Sequence, residues 1–371
     1  MYCTKKQGAI KKMKILVGMS GGVDSSVTAL LLKQQGHEVI GATMAIWGDR
    51  GVKEQLKDKL PKRHGACFGP DEKEDIEGAR KIAQEIGIPF YVFDCAEQYE
   101  KIVLDNFKKE YLSGHTPNPC IWCNSLVKFG VLPELAKANG IDFDKFATGH
   151  YARIEESEGK YILKRGVNPK KDQSYFLYRL KQEQLAKIYL PLGDKTKEEI
   201  REIALANGLS VAEKPDSQDF YYGDYNELLG VEEKEGNIVD LNGKILGKHK
   251  GIWNYTIGQR KGVGVSSTEP LYVLELRKDT NEVVIGPKDK TMKDTLKASD
   301  LNWIIEPKSN CFKAQAKIRS TQQPTDVEVN IEGDDIIIKF DDMQKSIAIG
   351  QSAVLYDGDL VLGGGIITEV M

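Results

Sequence analysis

Residues 20–27 read SGGVDSSV, and they follow the short apolar run 14–19, KILVGM. The run has the length and β-branched content of a buried strand. After the octapeptide, Val23, Val27, Leu30 and Leu31 recur at helical spacing until Gly36 ends the pattern. A strand, a glycine turn and a helix in that order open an α/β sheet, and the turn after the first strand is where such a sheet binds its ligand. Gly21 and Gly22 permit a tight turn and a close approach of backbone amides to an anion, and the helix N-terminus adds partial positive charge. The loop is expected to cradle phosphate. It carries neither a G-K-[ST], which would place a lysine on the terminal phosphates, nor a G-x-G-x-x-G. The plain alternative is a serine N-cap on a glycine-rich turn.

The alternation continues. EVIGATMAI (38–46) and PFYVF (89–93) read as strands around a helix over 75–87, whose Ile76, Ala79, Ile82, Ala83 and Ile86 share one face. A helix over about 97–112, another closed by Asn139 and Gly140, and the strand-like KFATGHYA follow. This predicts a doubly wound parallel sheet with helices on both faces. Met44, just past the second strand, is a candidate adenine contact or a core residue.

Further on, Thr196 and Glu199 form a capping box and Asn207-Gly208 a helix stop. Beyond about Gly223 the period changes. Asn242-Gly243, Gly333-Asp334 and Asp357-Gly358 are hairpin signals between strand-like runs, and Val327, Val329 and Ile331 alternate. The expected divisions are a catalytic domain over 1–222, a small β-rich central domain over 223–288 and a C-terminal β-barrel over 289–371. In the central part, Lys244, Lys248, His249, Lys250, Arg260 and Lys261 interleave with Trp253 and Tyr255, a mixture suited to phosphate contact and base stacking in RNA. A solvated charged face is the bland alternative.

Composition sets limits. The 371 residues carry a net charge of only −3, which argues against a uniformly basic nucleic-acid coat. No run reaches the ~20 apolar residues of a membrane span, so no membrane partner is expected and the cytosol is the expected compartment. In a reducing compartment, the C-x-x-C of TPNPCIWCN (116–124), in a chain of six cysteines, reads as a metal or redox-catalytic pair rather than a disulfide.

SGGVDS resembles the PP-loop of the ATP pyrophosphatases. Together with GIPFYV, TPNP-x-I-x-C-N, FATGHYAR, KDQSYFL, YTIGQRKG and GQSAVLYDGDLVLGGGII, it makes nearly the whole chain similar to the bacterial tRNA 2-thiouridylase family. The resemblance implies a PP-loop domain, a small central domain and a barrel that grips a tRNA anticodon arm. It implies that ATP and Mg2+ adenylate the carbonyl oxygen at position 2 of the wobble uridine, and that sulfur displaces AMP. ATP would be held by Gly18, Met19, Ser20, Gly21, Gly22, Val23, Asp24, Ser25 and Ser26, with Met44 and Gly149 beside it. Gly21 and Gly22 would face pyrophosphate, Ser20, Ser25 and Ser26 would donate to it, and Asp24 would hold the magnesium ion. His150 would sit by the nucleotide or the target base; Lys171, Asp172, Gln173 and Gln351 would touch tRNA, and Lys250, Arg260 and Lys261 its phosphates. For His150 a buried core histidine is the alternative.

Two departures stand out. Where the family has an aspartate this chain has Cys120, three residues before the catalytic Cys123. Where the family has a second, persulfide-bearing cysteine this chain has Tyr221, and a phenol cannot carry a persulfide. Three arrangements remain open for Cys67, Cys120 and Cys123. They are a four-iron four-sulfur cluster, a rearranged persulfide relay fed by a donor such as a cysteine desulfurase or free sulfide, and a structural zinc with His64 as fourth ligand. A PP-loop enzyme acting on another substrate and a zinc-bearing RNA-binding protein are the competing functions.

Overall fold

A computed structural model describes residues 11–48, 66–216, 220–221, 223 and 225–371. His64, the fourth zinc ligand expected above, lies outside them.

Ile15, Leu16 and Val17 are fully buried in β1 (Lys14–Gly18). Ile15 and Val17 join one core, Leu16 the other, as the two-residue period of a strand demands. Covering each of these side chains stabilises the fold by about 1.5–3 kcal/mol. β2 (Glu38–Ala45), β3 (Phe90–Asp94), β4 (Lys145–Ala147) and β7 (Ile188–Tyr189) complete a parallel sheet in the order β3-β2-β1-β4-β7. The chain runs from β1 to β2 and β3 on one side, then crosses to β4 on the other. The order therefore reverses between β1 and β4, and the loops after these two strands open a crevice at their carboxyl ends.

Helix α1 (Val23–Gln34) and helix α2 (Glu72–Ile86) cover one face, with Val27 and Leu32 against Ala79, Ile82 and Ala83. The other face is covered by the helical stretches 96–112 and 119–138, through Val103, Leu104, Phe107, Ile121, Val127 and Leu132. The second stretch changes pitch as it runs. Pro119–Trp122 is one α-turn, Cys123–Val131 is hydrogen-bonded i→i+5 as a π-helix, and Leu132–Ala138 returns to α.

A four-stranded sheet forms the middle of the chain: β8 (Gly236–Val239), β9 (Ile245–His249), β10 (Tyr272–Arg277) and β11 (Glu282–Gly286), in the order β10-β11-β8-β9. The last six strands are β12 (Met292–Trp303), β13 (Cys311–Lys317), β14 (Thr325–Glu332), β15 (Asp335–Lys345), β16 (Ser352–Asp357) and β17 (Leu360–Val370). They pair in the order β12-β15-β14-β13-β16-β17, and β17 pairs again with β12, closing a barrel. The hairpin of β5 (Ala152–Ser157) and β6 (Lys160–Arg165), which follows β4 in sequence, adds to this barrel at Leu360 and Lys164.

A second tie joins the barrel to the cysteine turn. Thr116 N–H donates to Ile349 O at 2.8 Å, and the Gln351 amide donates to Thr116 O at 2.8 Å. Gly350 lies between them at φ +89°, where a Cβ would stand 3.1 Å from Thr116 N.

Candidate active site

The glycine loop shapes itself. Gly21 turns at φ +71°, against α2, where a Cβ would stand 2.9 Å from Asp75 O. Gly22 caps α1 with no side-chain hydrogen bond to the helix amides, which leaves that N-terminus open to an anion. Ser25 Oγ accepts from Ser20 N at 3.2 Å and donates to Gly22 O at 3.2 Å. Ser26 is fully buried and donates to Gly22 O at 2.7 Å, so its hydroxyl shapes the loop and is not the phosphate donor expected of it. Met19 and Val23 are likewise core side chains, 2% and 3% exposed, and bring only backbone to the loop. Gly149, after β4, is pressed against α1, where a Cβ would lie 2.7 Å from Asp24 C and 2.8 Å from Ser25 N. Its glycine serves that close approach.

Cations reach the loop from outside its own motif. Lys197, 6% exposed, places Nζ 2.7 Å from Asp24 Oδ1 and 2.6 Å from Asp216 Oδ1. Tyr151 OH donates to the same Asp24 oxygen at 2.8 Å. Lys214 Nζ lies 3.3 Å from Gly21 O and 3.0 Å from Asp75 Oδ1. Burial pushes the Asp216 carboxyl up, but its hydrogen bonds with Lys171 and Lys197 outweigh this and hold it below the usual carboxylate range. These lysines stand where the loop's own sequence supplies none. Their separation in sequence hid them, since Lys197 reads simply as the first residue of a capped helix.

A cavity of about 400 Å³ opens beside the loop. Ser20, Met44, Cys67, Cys120, Cys123, His150 and Gln173 all line it, so the structure gathers seven of the expected site residues. Tyr221 lines it too, in a wall of rings: Phe68 stacks on Tyr99 at 5.5 Å and on Phe220 at 5.9 Å, and lies 6.2 Å from Tyr221. Phe68 N–H donates to Phe220 O at 3.0 Å, so the Cys67 segment runs beside the Tyr221 segment. Cys67 is exposed on the cavity wall yet closely surrounded by protein, and this crowding raises its thiol. Burial pushes the Cys123 thiol up to about 11, opposed by the charge of Lys128. His150 is held well below 6.5 by burial and by Lys128, and is therefore a neutral imidazole paired with Thr148 Oγ1 at 2.7 Å. Lys128 is a cavity residue that the sequence reading missed, because an α-helical wheel does not place residue 128 beside residue 123.

The expected RNA contacts divide. Arg260 and Lys261 are exposed, and Lys250 is exposed with an ion pair to Glu233 at 2.9 Å. Lys171 pairs with Asp216 at 2.6 Å. Asp172 cannot touch RNA: its side chain is 0% exposed and accepts from Gly166 N, Ser174 N and Arg165, with Lys317 at 3.6 Å. Gln173 Oε1 accepts from Tyr151 N at 2.9 Å, and the amide of Gln351 is committed to the cysteine turn. Trp253 and His249 are turned inward as well. Trp253 is 8% exposed with Nε1 bonded to Asn226, and His249 is 3% exposed between Gly251 N and Asn281 O, so neither presents a ring to a base.

Asp24 fits a magnesium ligand through one oxygen. Both of its side-chain bonds fall on Oδ1, which leaves Oδ2 as the oxygen that would ligate the ion. The cysteines do not fit a cluster as placed. They share a wall, but among the described residues no three His, Cys, Asp or Glu side chains converge on a point that could hold a metal ion.

Three family models match the chain in succession: a tRNA methyl transferase HUP domain over residues 13–222, a tRNA methyl transferase PRC-barrel domain over 229–287 and an aminomethyltransferase β-barrel domain over 293–367. A tRNA-specific 2-thiouridylase of Endomicrobium trichonymphae is 49% identical over 362 residues, covering 96% of this chain and 99% of that one. One from Clostridioides difficile is 46% identical over 367 residues, covering 96% and 98%. Among solved structures, a 4-thiouridine synthetase–RNA complex with bound ATP aligns with 55% of this chain and 43% of its own at 17% identity and a TM-score of 0.32. Near-full coverage at such identity, with the glycine loop, the cysteine turn and the closed barrel all present, means that this chain belongs to the tRNA-specific 2-thiouridylase family.

Proposed function

We propose that the protein converts a uridine of tRNA to 2-thiouridine, by adenylating the carbonyl oxygen at position 2 with ATP and then displacing AMP with sulfur. The observation that carries this reading is the shared cavity, where Ser20 of the phosphate loop and the thiols of Cys67, Cys120 and Cys123 face one space. A urea-like carbonyl oxygen is a poor leaving group and AMP a good one, so a nucleotide loop beside a sulfur nucleophile is the arrangement the reaction needs. The α1 N-terminus and the backbone of Gly21 and Gly22 hold the phosphates. A magnesium ion on Asp24 would screen their charge. The anticodon arm lies across the exposed cations Lys250, Arg260 and Lys261, and the reaction takes place in the cytoplasm, where tRNA is found.

For the sulfur step the geometry favours a relay through Cys67 and Cys123. Cys67 is exposed in the cavity beside the Tyr221 segment, and this exposure supports its accepting a persulfide from a cysteine desulfurase or similar donor. The terminal persulfide sulfur forms the bond to C2 as the C2–O bond to AMP breaks. The Cys123 thiolate then attacks the Cys67 sulfur, forming a Cys67–Cys123 disulfide and releasing the thiocarbonyl, and an external dithiol reduces the disulfide. The test is tRNA-dependent release of pyrophosphate together with mass spectrometry of the product nucleoside. Pyrophosphate released equally without tRNA would sink the assignment. Stoichiometric iron and sulfide after anaerobic purification, with activity that depends on them, would replace the relay by a cluster.

A further inference from the structure

Lys128 stands half-buried on the cavity wall, and no carboxylate among the described residues forms an ion pair with it. An ammonium taken part of the way out of water without a counter-ion is costly, and a bound anion offsets that cost. The i→i+5 bonding of Cys123–Val131 returns position 128 one turn above position 123. The cation therefore shares a face with the Cys123 thiol. Cys67, from the loop before α2, and His150, from the loop after β4, also lie within its field. Among the described residues, the other charged groups on the wall are Asp71, Glu72 and Asp75. Asp75 is bound by Lys214, and Glu72 Oε1 is taken by the Trp47 amide at 2.7 Å. With His150 neutral, Lys128 is, among the described residues that line the cavity, the positive charge that faces the thiols.

We propose that Lys128 is the cation that neutralises the sulfur anion attacking the activated base. The inference rests on the thiolation reading above and adds a catalytic residue to it. A sulfur nucleophile carries its negative charge into the transition state, and an ammonium already fixed beside it stabilises that charge without reorganisation. Adenylation happens before any sulfur bond forms, so it does not need this residue. The α-phosphate of the adenylate is the other anion that could claim Lys128, and the two roles separate in kinetics.

The experiment compares wild type, Lys128→Gln and Lys128→Arg as full chains with tRNA, ATP and a persulfide donor. For Lys128→Gln, the single-turnover rate of tRNA-dependent pyrophosphate release should stay within about threefold of wild type with an unchanged Kd for ATP, while the single-turnover rate of thiolation falls by about 100-fold or more. Lys128→Arg should recover thiolation to within about tenfold of wild type. Joint loss of both half-reactions with a raised Kd for ATP would give Lys128 to the phosphate. Unchanged thiolation, or a fall that tracks a lowered melting temperature and is not rescued by arginine, would overturn the proposal. Alkylation of Cys67, the thiol that carries the attacking sulfur, by iodoacetamide, followed by peptide mass spectrometry, reads the same charge without tRNA or ATP. It should slow by about tenfold in Lys128→Gln and recover in Lys128→Arg, and equal rates would overturn the proposal. If the wild type itself released no pyrophosphate with tRNA, the thiolation reading would fail while the alkylation contrast still judged Lys128.

Discussion

The side-chain amide of Gln351 donates to the carbonyl of Thr116 at 2.8 Å, so a residue of the barrel holds the turn that leads into Cys120 and Cys123. The bond is partly buried, and its loss costs about 1–3 kcal/mol at the turn. Gln351→Ala is therefore expected to lower kcat for thiolation with little change in tRNA affinity. Equilibrium binding of tRNA and steady-state thiolation separate the two. A large fall in affinity with kcat intact would make Gln351 a tRNA contact, as its family resemblance implies.

Asp24 and Lys197 form the partly buried pair behind the phosphate loop. Asp24→Ala leaves Lys197 its bond to Asp216, so the fold should survive with a loss of about 1–3 kcal/mol. Pyrophosphate release should fall by about 100-fold or more, since the substitution removes both the loop's anchor and the oxygen proposed to ligate magnesium. Near-full thiolation by this variant would contradict the assignment of the loop.

Gly149→Ala puts a methyl group 2.7 Å from backbone Asp24 C and 2.8 Å from Ser25 N. Backbone cannot swing aside as a side-chain tip can, so the loop should be displaced and the affinity for ATP should drop by about tenfold or more, at a stability cost of about 1–3 kcal/mol. Calorimetric titration with ATP measures the first, and thermal melting the second. Wild-type affinity would show that the crowding relaxes freely.

His150 is held well below 6.5 by burial and then by Lys128. The unfolded chain therefore binds a proton there that the folded chain refuses. The sign follows: this contribution to stability is fully present above about pH 6.5 and is lost as pH falls toward the folded value, by up to about 1.4 kcal/mol per pH unit. Between about pH 7.5 and pH 5.5, wild type should lose more stability than His150→Gln does. Parallel stability curves would mean that the imidazole takes up its proton in the folded state.

Lys250, Arg260 and Lys261 are exposed on the middle of the chain. Replacing all three with alanine should weaken tRNA binding and flatten its salt dependence by about one unit of log–log slope per lost phosphate contact. The Lys250–Glu233 pair reduces what Lys250 can give. An unchanged slope would move the docking surface elsewhere.

Local order was legible in the sequence where a period or a backbone requirement wrote it down. The run 14–19, the glycines at 21 and 22 and the helical spacing after them located β1, the loop and α1, and Thr196 with Glu199 capped the helix Lys197–Ala206 as expected. Hairpins formed at Asn242-Gly243, Gly333-Asp334 and Asp357-Gly358. Burial of polar side chains was not legible. Asp172, His249 and Trp253 sit in runs that look like a binding surface, and only tertiary packing turns them inward. The cations of the site were hidden for a related reason. Lys197, Lys214 and Tyr151 meet Asp24 and Gly21 through chain crossings that leave no spacing behind, and Lys128 reaches Cys123 only because the helix slips into a π pitch.

The barrel's grip on the cysteine turn also sets a clock. Gln351 and Thr116 are 235 residues apart in the chain. At synthesis rates of about 5–20 residues per second, the ribosome needs roughly 12–47 s after making the turn before its clamp exists. Through that interval the nucleotide loop, α1 and the parallel sheet can already form from nearer neighbours, while the sulfur-bearing turn waits. The clamp on the cysteine turn is thus among the last contacts of the site to become available, and the last strands to emerge complete it.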